Sequence, residues 1–230
     1  MFIKKEKISN RKQQIINDFV KHVSSGKAAF YEKYNMQFVT GERSDCWLHD
    51  IDNDKTLFNL HCNGGVFNLG HRNPVIAETL RKGLDECDIG NHHLLSQYRA
   101  KLAKQLTATM PEKLNSVVFG VSGGEAVDLA IKLARGHCNR QKIVSVIGGY
   151  HGHTGLSVQA GDEKYRQPFN LQTTGFTQVL FNDFQAMDDA LDETVAAVII
   201  ETIPATLGML MPADNYLQSI RRWCDQRGIL

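Results

Sequence analysis

A glycine pair stands where an apolar run gives way to a helix, in residues 119–126 (FGVSGGEA). Glycine lets the backbone approach a ligand closely, and the first N–H groups of a helix are unpaired donors at the positive end of its dipole. Ser122, Gly123 and Gly124 are therefore candidates for holding a phosphate group. The local chemistry fits equally well a tight turn in which Ser122 caps the helix. The Lys-Ser/Thr of a nucleotide P-loop and the GxGxxG spacing are both missing.

A second glycine-rich stretch, residues 148–155 (GGYHGHTG), follows the next apolar run. In an open α/β sheet, ligands collect at the carboxyl ends of the strands, so both glycine loops are expected at one edge of the sheet. Tyr150 is a candidate for lying flat on a planar cofactor. A metal bound by His151 and His153 is the alternative, but no third ligand stands nearby, so we predict no metal site.

A carboxylate ends a third apolar stretch, where Glu201 follows residues 195–200 (VAAVII). A carboxylate at the end of a buried strand is costly unless it is paired or takes part in chemistry. Glu201 is therefore a candidate site residue. Its alternative role is to complete a structural hydrogen-bond network.

The elements that must position these residues alternate between strands and helices. Four apolar runs predict buried strands; the runs are 116–121, 142–147, 177–181 and 195–200. Helical or loop stretches separate them, with a predicted helix at 124–139 after the first run and a last helix at 213–227 after the fourth. This alternation predicts an α/β fold with a mainly parallel sheet. Earlier in the chain, apolar spacing predicts helices at 7–24, 74–88 and 96–109, with Gly26 ending the first, and strands within 36–60. The acidic turn at 50–54 lacks the spacing of a calcium loop.

Composition narrows the class of protein. The net charge is +1, so the chain has no strong positive electrostatic potential that would attract nucleic acid or an anionic membrane. No apolar run is long enough to span a membrane, and the first ten residues do not resemble a secretion signal. Five scattered cysteines fit reduced thiols better than disulfides. We therefore expect a soluble cytoplasmic protein.

Several stretches together resemble the class III aminotransferases, the ornithine, acetylornithine and 4-aminobutyrate group. The residues that carry the resemblance are LGHRNP at 69–74, SGGEAVDLAIKLAR at 122–135, GYHG at 149–152, and VIIE at 198–201 with Gly208 and Pro212. The resemblance covers residues 36–230, in order and with spacing like that of the family. It implies a fold-type-I transferase that depends on pyridoxal 5′-phosphate.

The resemblance also implies roles for individual residues. The backbone N–H groups of Gly123 and Gly124, together with the Ser122 region, would hold the cofactor phosphate. Tyr150 would stack on the pyridine ring with His151 beside it, and Glu201 would join the polar network around the ring. The implied enzyme is a homodimer that moves an amino group from an amine or amino acid to a 2-oxo acid.

The family pattern continues beyond residue 230, so we expect this chain to be a fragment. By the resemblance, residues 1–68 are the N-terminal segment of the small domain, and 69–230 begin the large cofactor-binding domain. The aspartate that pairs with the pyridinium nitrogen and the lysine that forms the Schiff base would both come later, so we expect no catalytic residue in this chain and no transamination by it alone. Residues 116–121 would also lack a neighbouring strand.

Three alternatives stay open at this point. The same cofactor platform also serves decarboxylases and aminomutases. A non-catalytic remnant or interaction module would keep the phosphate loop without turnover. An unrelated nucleotide-binding domain would place an acidic ribose contact after its second strand, where this chain has Ile147-Gly148-Gly149-Tyr150 instead.

Overall fold

The computed structural model describes residues 8–87, 93–172 and 174–230. The chain divides into two compact units, Met1–Leu95 and Ser96–Leu230. The domain boundary at 68/69, which follows from the family resemblance, stays a prediction. No helix in the described ranges is long and apolar enough to cross a membrane.

The first unit begins with two helices where the sequence predicts one. Helix α1 spans Asn10–His22 and α2 spans Ser25–Lys33. The predicted helix at 7–24 is confirmed as α1 within two or three residues at each end. The prediction that Gly26 ends it is wrong, because Ser24 adopts an extended conformation and its side chain accepts a hydrogen bond from the N–H of Lys27. That contact caps a new helix, and Gly26 lies inside it. The first predicted helical residue, 7, lies outside the described residues.

A small antiparallel sheet follows, as the alternating pattern of residues 36–60 predicts. Its strands run in the order β1, β2, β3; they span Thr40–Ser44, Trp47–Asp50 and Thr56–Phe58. Helix α3 spans Pro74–Glu86 and is capped by Asn73, whose side chain accepts hydrogen bonds from the N–H groups of Val75 and Ile76. The predicted helix at 74–88 is thereby confirmed over its described length, while residue 88 lies outside the described ranges.

A buried ion pair joins α1 to this sheet. The Lys12 ammonium lies 2.9 Å from the Asp50 carboxylate, and the two side chains are 2% and 0% exposed. Asp52 accepts a hydrogen bond of 2.7 Å from the hydroxyl of Ser9, the residue that caps α1. Two carboxylates of the acidic turn are thus used to fix the first helix.

The second unit is the α/β part of the chain. Its helices are α4 to α9, which span Gln97–Thr107, Gly123–Cys138, Gly155–Ala160, Glu163–Arg166, Phe184–Ala190 and Tyr216–Arg227. Its strands are β4 to β6, which span Lys142–Val146, Phe176–Val179 and Val195–Val198. They pair in parallel in the order β5-β4-β6, so three of the four predicted strands and the parallel α/β class are confirmed. The predicted helices at 96–109, 124–139 and 213–227 are confirmed within two or three residues at each end.

The parallel sheet is covered on both faces. Successive residues of β4 point to opposite sides, so Ile143 packs with Ile131 of α5, while Val144 packs with Tyr216 and Ile220 of α9. Ile143 and Val144 are both fully buried. Burial on both faces explains why β4 and β6 are mostly apolar.

The predicted strand at residues 116–121 does not form a ladder. Residues 114–120 have no regular secondary structure and pair with no strand in the described part of the chain. Val118 and Val121 are 63% and 94% exposed. An apolar run becomes a strand only when a neighbouring backbone takes up its hydrogen bonds, and none of the described strands lies beside this one.

Candidate active site

The N-terminus of α5 is a preformed turn. The Ser122 hydroxyl accepts a hydrogen bond of 3.2 Å from the N–H of Glu125, and the Glu125 carboxylate accepts one of 2.5 Å from the N–H of Val121. This reciprocal arrangement resembles a capping box and fixes the path of the chain into the helix. Neither Gly123 nor Gly124 donates its N–H to any acceptor among the described residues. Two unpaired donors at the positive end of a helix dipole form a site for an anion.

The loop after β4 packs directly against this turn. A Cβ on Gly124 would lie 2.9 Å from the Thr154 hydroxyl oxygen, and a Cβ on Gly152 would lie 2.7 Å from the Cα of Gly124. Both distances are shorter than real Cβ contacts, so the two backbones meet as closely as they do only because both residues are glycine. The structure therefore brings together the two glycine stretches that the sequence places at one sheet edge.

Replacing Gly152 with alanine is expected to destabilise the second unit by about 2 kcal/mol or more. Gly152 has a φ of +129°, a backbone conformation that residues with a side chain rarely adopt. The Cβ of an alanine at this position would also meet the backbone of Gly124. The matched control is Gly155→Ala, where a Cβ meets only the Asp128 carboxylate at an ordinary 3.5 Å. Urea unfolding of the two variants measures the difference, and equal midpoints would contradict the close approach.

Asp128 locks the same loop from the side of α5. Its Oδ1 accepts hydrogen bonds of 3.0 Å from the N–H of Leu156 and 2.7 Å from the N–H of Ser157, at the start of α6. This role of Asp128 was not among the predictions from the sequence. The available signal was the spacing, because a residue four positions after Gly124 lies on the same helix face and reaches whatever packs against that glycine.

Glu201 holds the backbone of the Tyr150 loop. Its Oε2 accepts a hydrogen bond of 2.9 Å from the N–H of Tyr150. The two residues follow β6 and β4, neighbours in the parallel sheet, so both lie at the carboxyl edge. The Tyr150 side chain is 40% exposed, which leaves ring surface free for a ligand. Glu201 thus orients the loop that presents the aromatic ring.

His151 contributes a buried nitrogen without a partner. Its Nε2 is shielded from solvent and meets no hydrogen-bond partner among the described residues. Burial lowers the pKa of His151, while the nearby Glu201 carboxylate acts in the opposite direction. The imidazole is therefore neutral at neutral pH, with ring nitrogens that can donate and accept. Within the described ranges, no three His, Cys, Asp or Glu residues form a group suited to a metal ion.

These features fit pyridoxal phosphate. The free N–H groups of Gly123 and Gly124 suit its phosphate, Tyr150 offers an aromatic face, and His151 has an unpartnered polar atom beside Glu201. A parallel α/β sheet with such a cradle at its carboxyl edge is an arrangement suited to a phosphorylated ligand.

The chain belongs to the class III aminotransferases, since the family model described as "Aminotransferase class-III" matches residues 29–230. It is 53% identical over 219 residues to an uncharacterized aminotransferase of Archaeoglobus fulgidus, covering 95% of this chain and 51% of that protein. It is 30% identical over 201 residues to the acetylornithine aminotransferase of Methanopyrus kandleri, covering 87% and 51% respectively. The chain spans about half the length of these curated relatives.

Solved structures agree on the fold. The S-selective transaminase from Arthrobacter sp. superposes with a TM-score of 0.80 at 20% identity, covering 97% of this chain and 55% of that one. The taurine:2-oxoglutarate aminotransferase from Bifidobacterium kashiwanohense, in complex with PLP and glutamate, gives a TM-score of 0.80 at 22% identity, with 98% and 55% covered. The predicted fold-type-I class is therefore confirmed.

Proposed function

We propose that this chain forms the phosphate and ring contacts of a pyridoxal-phosphate-dependent transaminase. The observation that carries the proposal is the pair of free N–H groups at Gly123 and Gly124, held against the loop that presents Tyr150. When bound, pyridoxal phosphate supplies the electron sink that lets an amino group pass from an amine or amino acid to a 2-oxo acid.

Each residue of the site has a defined task in this proposal. The N–H groups of Gly123 and Gly124 bind the phosphate, and the Ser122 cap keeps them aimed outward. Tyr150 stacks on the ring, and Glu201 fixes that tyrosine through its backbone. His151 uses its unpartnered nitrogen to hydrogen-bond a polar group of the bound cofactor.

We further propose that these 230 residues bind the cofactor without turning over an amino donor. The position of Lys142 supports this proposal. It lies at the amino end of β4, whereas Tyr150 follows the carboxyl end, and its ammonium is 2.6 Å from the Asp192 carboxylate. Lys132 of α5 is exposed on the helix surface. Neither of these two lysines therefore supports a covalent bond to a ligand held at Gly123 and Gly124.

A reduction experiment tests this proposal. The 230-residue chain is titrated with pyridoxal phosphate, treated with borohydride, and analysed by peptide mass spectrometry alongside an assay with amino donors and 2-oxo acids. We expect saturable binding that inorganic phosphate competes away, no stoichiometric adduct on one lysine, and no turnover. A single lysine labelled to completion, together with turnover, would contradict the proposed division between binding and chemistry.

The same proposal extends to assembly and location. We infer a homodimer for the complete enzyme, as the family resemblance implies, and sedimentation analysis measures it. We also infer a reducing compartment, the cytoplasm, which is supported by the free thiols of all five cysteines.

A further inference from the structure

Three aromatic rings meet beside the candidate site. The ring centroids of Tyr150 and His153 are 5.1 Å apart, those of Tyr150 and Tyr165 are 5.2 Å apart, and those of His153 and Tyr165 are 5.3 Å apart. The interplanar angles of 79°, 69° and 66° make every pair edge-to-face, an attractive arrangement for aromatic rings. Two neighbours thus restrict rotation of the Tyr150 ring, although that ring is 40% exposed.

Tyr165 is itself placed by the parallel sheet. It lies on α7, and the next residue, Arg166, donates from its guanidinium to the carbonyl of Gly161 at 2.8 Å and to the Gln178 side chain at 3.2 Å. Gln178 belongs to β5 and donates its amide to the carbonyls of Gly161 and Ala160. The turn that leads into α7 is therefore hydrogen-bonded to a strand of the sheet.

Strand β4 is also hydrogen-bonded to the turn that leads into α7. The Ser145 hydroxyl, fully buried, donates to the carbonyl of Ala160 at 2.7 Å. The N–H of Asp162 donates to the carbonyl of Gly149, the residue before Tyr150, at 2.9 Å. Tyr165 and Tyr150 thus share one rigid frame, and their mutual position is set by buried hydrogen bonds rather than by the loop alone.

We infer that Tyr165 and His153 are positioning residues that hold the Tyr150 ring in the orientation needed to stack on a flat cofactor. The inference rests on the proposed function, because it assigns the purpose of the bracing to cofactor binding. A tyrosine on a glycine-rich loop would otherwise lose side-chain freedom when a ligand binds. Contacts that already restrict the ring remove much of that cost.

Fluorine NMR tests the bracing without any ligand. The chain has six tyrosines, so incorporation of 3-fluorotyrosine gives a small set of signals, and Tyr150→Phe identifies the signal of Tyr150. We expect Tyr165→Leu to move that signal towards the position of an unstructured tyrosine, and Tyr165→Phe to leave it nearly unchanged. An unmoved signal in Tyr165→Leu would overturn the inference.

A titration with pyridoxal phosphate tests the consequence. We expect Tyr165→Leu to raise the dissociation constant about threefold to tenfold and to change the visible circular dichroism of the bound cofactor. His153→Leu should act in the same direction, and Tyr165→Phe should restore both properties. Phe169→Leu is the matched control, because that ring is 70% exposed and lies outside the cluster.

Tyr150→Leu separates this inference from the proposed function. If Tyr150→Leu weakens binding while Tyr165→Leu and His153→Leu change neither affinity nor dichroism, the positioning role is wrong and the proposed function stands. If the unsubstituted chain does not bind the cofactor, or Tyr150→Leu binds it as well as the unsubstituted chain does, the ring contact is wrong and the positioning role falls with it. Far-ultraviolet dichroism and the unfolding midpoint confirm that each variant is folded.

Discussion

Replacing Gly123 with proline is expected to weaken the binding of pyridoxal phosphate by about tenfold to a hundredfold while α5 stays folded. Gly123 is the first residue of α5, a position where proline is well tolerated, and Ser122 before it has the extended conformation that proline requires. The substitution removes one N–H donor from the phosphate site. A hydrogen bond to a charged group contributes about 1.5–3 kcal/mol, which corresponds to the expected loss of affinity.

Gly123→Ala provides the matched control for this experiment. No atom lies within 4 Å of a Cβ built on Gly123, so alanine adds side-chain bulk to the chain without a clash and keeps the N–H group. The difference between the proline and alanine variants isolates the contribution of the donor. Binding is measured by the change in cofactor absorbance during titration. Equal dissociation constants for two folded variants would show that the Gly123 amide does not contact the phosphate.

Replacing Lys12 with methionine is expected to destabilise the first unit by about 3–5 kcal/mol. The Asp50 carboxylate is 0% exposed, and the substitution leaves it buried without its ammonium partner. Trp47 lies on β2 and reports this unit, so the measurement uses urea unfolding followed by fluorescence in a Trp223→Phe background. The chain contains only these two tryptophans.

Two controls identify burial as the cause. Lys12→Met with Asp50→Asn removes both charges and should recover part of the lost stability, because a neutral side chain costs less to bury. Glu42→Gln breaks the exposed pair with Arg72, whose side chains are 66% and 70% exposed, and should cost less than about 1 kcal/mol. The prediction is wrong if breaking the buried pair and breaking the exposed pair have the same effect.

The ion pair also gives the first unit a pH dependence. Burial alone would raise the pKa of Asp50, but hydrogen bonds from Lys12 and from the N–H groups of Asp52 and Val39 lower it below its usual value. The stabilisation is therefore present above the unfolded pKa, about 3.9, and is lost as the pH falls through the lower native value. We expect the advantage over the double variant to shrink below about pH 4. An advantage that stays constant down to pH 2 would contradict this linkage.

The parallel core could be predicted from the sequence because its strands carry apolar residues and the helices that bury them lie next to them in the chain. The runs that became β4 and β6 supply apolar residues to both faces of the sheet, and the helices between the strands cover these faces. Residues 116–121 have the same composition, but an apolar run carries no information about whether a neighbouring backbone is present. The break between α1 and α2 depends on one serine side chain, a contact that helical periodicity does not register.

The candidate site, like the fold, could be predicted only in part from the sequence. Residue type and position suffice to select Gly123, Gly124, Tyr150 and Glu201, because each follows an apolar run at one sheet edge. The hydrogen bond from Tyr150 N–H to Glu201 could not be predicted, since it joins residues 51 positions apart. The position of Tyr165 beside Tyr150 could not be predicted either, because it is set by hydrogen bonds between the turn before α7 and two strands.

We propose above all that the N-terminus of α5 holds the cofactor phosphate. A crystal structure of the 230-residue chain with pyridoxal phosphate tests it most directly. We expect the phosphate oxygens within hydrogen-bond distance of the N–H groups of Gly123 and Gly124, with the pyridine ring against Tyr150. A phosphate bound elsewhere on the chain, with these two N–H groups still unpaired, would contradict the claim.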